Sequence, residues 1–365
     1  MATKKRVKEV SIEDYQEPVQ PIIEESEVTP EPNIDTIEEV SEVPEQEPSA
    51  DTVNSTDDNI VDPVDEPKDV EKEYNLFDSN GIIQMLLDKA DDNLIQKEIT
   101  RHLTILKEKF HFKDYFILFL FDEFTSLSSY ESDKIYQSIS TYNNGDILLI
   151  LNNLGGHIEP AYLISQTCKK TTSKKFLVCV PRKAKSASTL LALGADEIHM
   201  GMMSEIGPID PQIGGLPALG LGNSLEYIAK IVTKFPSSST MFSQYLSSKL
   251  ELNVLGYFER VSESATQYAE RLIGNKELPQ GETAKTIAEK LVYLYKDHSF
   301  VIDLEEAKKL LGEKIIKEDT NEYRFANEIY LFFDMLSRLI RIVYKKRFTY
   351  VGNINKGLNL LKDSK

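Results

Sequence analysis

Two short stretches carry the residue types that acyl-transfer chemistry needs. The first is KSAST, in which Ser186 stands between an apolar run, KKFLVCVP, and a small apolar segment, LLALGA. A serine at the start of a helix can attack a carbonyl while nearby backbone N–H groups hold the developing negative charge. The same position also suits a serine that caps the helix with its hydroxyl. The second stretch is LNNLGGH, with Gly155 and Gly156 following the run ILLI. A glycine pair lets backbone approach a ligand closely and adopt angles closed to other residues, so its N–H groups could face an oxyanion; a plain turn needs glycine as well.

A nucleophilic serine needs a proton acceptor. His298 opens the segment HSFVI; it reads first as a structural hydrogen-bonding residue, and as a base candidate that long-range folding could bring near. His157 follows the glycine pair and suits the rim of a cleft or a surface loop. His199 is expected on a strand facing solvent or a neighbour, and His102 and His111 carry no pattern. Lys185 does not read as the base, because adjacent helical residues do not share a face; it reads as surface charge, with contact to substrate or a neighbouring subunit as the alternative. Ser188 reads as a capping or packing residue. No HExxH, carboxylate cluster or tight His/Cys spacing appears, so neither a metal nor a cofactor is expected.

These residues need a scaffold. YFILFLF, DILLILNN and KKFLVCV read as buried strands, and DEIHM as a short one, with helical periodicity between them. The alternation predicts an α/β fold, a core of parallel strands and crossover helices over about 110–215. Ligands of such sheets bind beyond the carboxyl ends of the strands, where both stretches fall. Residues 74–109 read as an N-terminal helical segment, 110–345 as the main domain with a helical C-terminal half, and 346–365 as a frayed tail.

The net charge of −17 is localised. Residues 9–67 hold 20 acidic residues, no lysine or arginine and eight of the 15 prolines. With these and the four bases of residues 1–8 set aside, residues 68–365 stand at −1. Residues 1–73 therefore read as a disordered acidic tail, a solvating spacer or a docking segment for a basic partner. Nucleic acid is not an expected partner. No apolar run is long enough to span a membrane, and the opening MATKKRVKEV lacks the apolar core of a secretory signal. With only Cys168 and Cys179, a reducing, cytoplasmic setting is expected.

Taken in order, LNNLGGH, KSASTLLALGADEI, SEIGPIDPQIGG and YKDHSFVIDLEEAKKLLGEKI resemble the superfamily of ClpP-like proteases, signal peptide peptidase A and crotonase. Within it they look closest to the serine dehydrogenase proteinase family, over about residues 95–315. The resemblance implies a ClpP/crotonase-like fold, a serine peptidase acting on peptide or protein without ATP, and a homo-oligomer. It puts the nucleophile on Ser186 rather than Ser188. With a helix starting there, the Ala187 N–H would join that of Gly156 as oxyanion donors. The position of the ClpP histidine falls on Asp210. Signal peptide peptidases use a lysine further along, where this chain has Lys230, Lys234 and Lys249; no motif selects among them, and Lys234 is carried as the candidate. Acyl-thioester chemistry of the crotonase kind and a non-catalytic scaffold are the alternatives.

Overall fold

A computed structural model describes residues 72–140, 142, 145–213, 216–250 and 252–363. The expected acidic tail lies outside the described residues as far as residue 71. Along the chain come α1 (Ser79–Leu87), α2 (Asp92–Lys109), β1 (Tyr115–Asp122), α3 (Ser129–Ile139), β2 (Asp146–Asn153), α4 (Ile158–Thr171), β3 (Phe176–Cys179), β4 (Lys183–Ala184), α5 (Ala187–Leu193), β5 (Glu197–His199) and β6 (Glu205–Ile206). Next are β7 (Gln212–Ile213), β8 (Leu216–Pro217), α6 (Ala218–Lys234), α7 (Ser239–Lys249), α8 (Leu252–Ile273) and α9 (Ala284–Glu289). A π-helical turn (Lys290–Leu294) then leads to α10 (Leu304–Leu311), β9 (Ile316–Lys317), α11 (Asn321–Tyr344), β10 (Lys346–Asn353) and β11 (Lys356–Lys362).

The main sheet runs β11-β10-β1-β2-β3-β5-β9. β1, β2, β3, β5 and β9 are parallel, with Tyr115 opposite Asp146 and Asp122 opposite Asn153 in the first pair. Such strands are covered on both faces and so read as unbroken apolar runs. Successive side chains still point to opposite faces. Leu118 and Leu120 of β1, with Leu149 and Leu151 of β2, pack toward the core shared with α3, α4 and α5. Ile117, Phe119 and Phe121, with Leu148 and Ile150, pack toward α1, α2 and α11. The result is a sheet between two helical layers.

Two expectations need correction. Residues 346–362 are not a frayed end: β10 pairs antiparallel with β1 and β11 with β10, so the sheet is mixed. Phe348 and Tyr350 are fully buried and pack on Phe333 of α11, ring centroids 5.2 and 4.9 Å apart. The hairpin turns on Asn353, whose Oδ1 accepts from the N–H groups of Asn355 and Lys356 at 3.0 and 3.1 Å. His199 does not face solvent. It is buried on β5, with Nδ1 2.8 Å from the Thr320 hydroxyl, because β9 and the start of α11 cover that strand.

Candidate active site

Asn153 ends β2 and is completely buried. Its side chain donates to the Asp122 carbonyl (2.8 Å) and accepts from the Gly155 N–H (2.8 Å) and the Ser188 hydroxyl (2.6 Å). Its own carbonyl accepts from the Lys185 N–H at 3.1 Å. One amide thus ties together the ends of β1 and β2, the glycine loop and the first turn of α5. Ser188 is therefore occupied as a buried hydrogen-bond donor.

The glycine loop lies directly against Ser186. Gly155 has φ +99°, and a β-carbon there would stand 2.6 Å from the Lys185 carbonyl oxygen, 2.9 Å from Ser186 Cβ and 3.1 Å from the Ala187 nitrogen. No larger residue fits. Gly156 lies alongside Leu127, where a β-carbon would come within 2.3 Å of the Leu127 nitrogen. Leu127 clamps the loop by donating to the Gly155 carbonyl (2.8 Å) and accepting from the His157 N–H (2.9 Å).

The donors divide unequally. The Gly155 N–H is taken by Asn153, so this glycine contributes close approach rather than an oxyanion donor. Among the described residues the Gly156 N–H has no hydrogen-bond partner. The Ala187 N–H, at the first position of α5, has none either.

Ser186 occupies the N-cap position of α5 but does not cap it: its side chain makes no capping hydrogen bond. Its backbone sits at φ +51°, ψ −118°, a conformation that L-residues rarely adopt. The helix is nonetheless engaged at this point, since the Ser186 carbonyl accepts from the Leu190 N–H at 3.1 Å.

Ser186, Gly155 and Gly156 line a cleft of about 690 Å³, and so does His298. Its walls come from the loop after β1, the start of α4, the Ile209–Gln212 segment and Tyr257 of α8. His298 reaches it because its segment is stitched to the strand region after α5. Ile206 and Ile302 exchange backbone hydrogen bonds, both 3.0 Å, and the Ile209 N–H donates to the Leu291 carbonyl of the π-helical turn at 2.9 Å. This stitching brings Asp210 beside the histidine, with Oδ2 3.8 Å from His298 Nδ1. Asp210 Oδ1 and His298 Nδ1 are buried and have no hydrogen-bond partner among the described residues.

Lys234 is the exception among the expected site residues. It is exposed at the end of α6, its ammonium over the Phe235 ring, and lines no part of the cleft. Lys230 on α6 and Lys249 at the end of α7 are also exposed and line no part of the cleft. His157 lines the cleft from an exposed position. His102 is buried between the Phe77 and Phe332 rings. Both thiols are free and buried, and burial pushes Cys168 up to about 12, far from a reactive thiolate.

The family described as ClpP-like SDH-type serine proteinase matches residues 76–341. The chain belongs to that family. Two uncharacterized proteins of Methanocaldococcus jannaschii are 33% and 35% identical to it, over 26% and 25% of this chain and 34% and 31% of their own lengths. The match thus spans about a third of these curated relatives. Among solved structures, the 1510-N membrane-bound stomatin-specific protease is similar at 18% identity and a TM-score of 0.36, over 57% of this chain and 81% of that one. ClpP1 from Listeria monocytogenes follows at 15% identity and a TM-score of 0.36, over 60% and 99%. No helix among the described residues of this family member is long and apolar enough to cross a membrane.

Asn153 escaped the sequence reading, though the asparagine doublet at the end of an apolar strand was a signal for it. Lys185 is not a surface charge. Its side chain is only 12% exposed and pairs with Glu205 at 3.1 Å, because it follows β4, which pairs with the β6 that carries Glu205, rather than standing on a helix.

Proposed function

We propose that this chain is a serine peptidase that works through an acyl-enzyme on Ser186, with His298 as general base and Asp210 as the group that orients it. The observation that carries the reading is the strained, non-capping Ser186 set against the glycine pair in the cleft that His298 also lines. Ser186 Oγ attacks the scissile carbonyl carbon and passes its proton to His298 Nε2. The carbonyl oxygen becomes an oxyanion facing the Gly156 and Ala187 N–H groups. Collapse breaks the C–N bond, and the imidazolium protonates the departing amine. Water then gives a proton to His298 and attacks the acyl carbon; the bond from that carbon to Ser186 Oγ breaks, the imidazolium returns its proton to Oγ, and the acid leaves. Asp210, on the Nδ1 side, sets the tautomer and favours the imidazolium. The 3.8 Å gap closes to a hydrogen bond as that charge forms.

None of these steps consumes ATP. The proposal also makes the protein a homo-oligomer that acts on peptide or protein in a reducing, cytoplasmic setting. The two free, buried thiols are compatible with that setting. The test is mass spectrometry of the full chain after treatment with a fluorophosphonate, beside hydrolysis of fluorescein-labelled casein. Label on Ser186, its loss in the Ser186→Ala protein, and a large fall in labelling rate and hydrolysis, to a residual level that can still be timed, in the His298→Ala and Asp210→Asn proteins are expected. Absence of label from Ser186 would leave a non-catalytic scaffold as the better reading.

A further inference from the structure

We propose that Lys185 is a positioning residue that holds the loop carrying the base in register with the nucleophile; this rests on the assignment of Ser186 and His298 above. Lys185 immediately precedes Ser186, and its backbone is fixed on both sides. Its N–H donates to the Asn153 carbonyl at 3.1 Å, and its carbonyl accepts from the Ser188 N–H at 2.9 Å. Its side chain then leaves the nucleophile segment and crosses to the base segment. Nζ donates to the carbonyl of Phe300, two residues beyond His298, at 3.2 Å, and pairs with Glu205 at 3.1 Å. The Lys185 and Glu205 side chains are 12% and 18% exposed. Gly207 leaves room for the stem, since a β-carbon there would stand 2.7 Å from Lys185 Cδ.

The geometry separates this role from a catalytic one. Lys185 is not among the residues lining the cleft, and its ammonium is directed to Glu205 and the Phe300 carbonyl rather than to Ser186. It also differs from the local contacts of the His298 loop. Asp297 accepts from the Ser299 N–H and hydroxyl at 2.9 and 2.8 Å, which shapes the turn but sets no distance to Ser186. The Ile206–Ile302 pairing anchors the far end of that loop. Lys185 anchors its middle, by one side chain whose own backbone adjoins the nucleophile. Cutting this link leaves the glycine pair and the Ala187 N–H in place and lets the imidazole drift. A misplacement of about 1 Å costs on the order of 10²-fold in rate.

The experiment measures the rate of Ser186 labelling by a fluorophosphonate over a range of probe concentrations. The proteins are the full-length wild type, Lys185→Met, His298→Ala and the double variant. Lys185→Met should lower the maximal labelling rate by on the order of 10²-fold, with the half-saturating probe concentration changed less than about two-fold. In the His298→Ala background the same substitution should cost nothing further, because residues that act through one another are not additive. Wild-type labelling by Lys185→Met, or an equal loss in both backgrounds, would overturn the proposal while leaving the base assignment intact. Wild-type labelling by His298→Ala would instead remove the assignment on which the proposal stands. Circular dichroism checks the fold. Should Lys185→Met fail to fold, Glu205→Gln, which removes the paired charge at nearly constant size, carries the same cycle with a smaller loss expected.

Discussion

Replacing Ser186 with glycine should make the protein more stable as it makes it inactive. The residue is held at φ +51°, ψ −118°, and strain of this kind costs about 1–3 kcal/mol. Glycine removes the β-carbon that causes it. Against this, a glycine loses about 0.5–1 kcal/mol more chain entropy on folding than alanine does. The side chain makes no capping hydrogen bond, so no cap is lost. The net expectation is a gain of about 1 kcal/mol, or a rise of roughly 1–2 °C in the thermal midpoint. Ser186→Ala keeps the strain and should stay within about 0.5 kcal/mol of wild type. An ordinary N-cap serine would instead lose about 0.5–2 kcal/mol on the same change. Calorimetry on wild type and both variants, with labelled casein as the activity readout, makes the comparison. A Ser186→Gly protein with a midpoint about 2 °C below wild type would refute the strain argument. Hydrolysis retained in either variant would refute the nucleophile.

Asn153→Ala removes one buried donor and an acceptor used twice, so a loss of about 3 kcal/mol or more is expected by urea titration, with Asn153→Asp milder because the acceptor survives. Gly155→Ala should abolish fluorophosphonate labelling, since its β-carbon would overlap the Lys185 carbonyl; labelling at the wild-type rate would contradict the packing. Burial, with Arg101 adding to it, pushes His102 down to about 4 from an ordinary value of 6.5. The unfolded chain therefore binds the proton first: this contribution is complete above pH 6.5 and is lost as pH falls toward 4, by up to about 3 kcal/mol. The fall in thermal midpoint from pH 7 to 4.5 should accordingly be smaller in His102→Leu than in wild type. Lys230→Ala, Lys234→Ala and Lys249→Ala should each hydrolyse casein within about two-fold of wild type, because none lines the cleft.

What could be read from residue order was what depends on near neighbours. Apolar runs of strand length, with helical periods between them, indicated the parallel sheet, since a strand covered on both faces needs apolar side chains at every position. The glycine pair was legible because positive φ and close backbone approach restrict residue type at that point. Ser186 was legible as a serine at a strand-to-helix junction, and the alternative of a simple cap stayed open. Tertiary structure shows that the side chain makes no capping hydrogen bond and that the backbone holds a torsion which only the surrounding packing can impose.

The rest depended on contacts between distant segments. His298 and Asp210 meet because Ile206 pairs with Ile302 and the Ile209 N–H reaches the Leu291 carbonyl, and neither pairing leaves a periodic trace in the chain. Lys185 looked like surface charge because its neighbours in sequence say nothing of Glu205 or the Phe300 carbonyl, which enclose its ammonium. The hairpin at 346–362 was hidden by its lysines and asparagines. What makes it a strand pair is the burial of Phe348 and Tyr350 against α11 and β1, an energy that exists only once those elements are assembled.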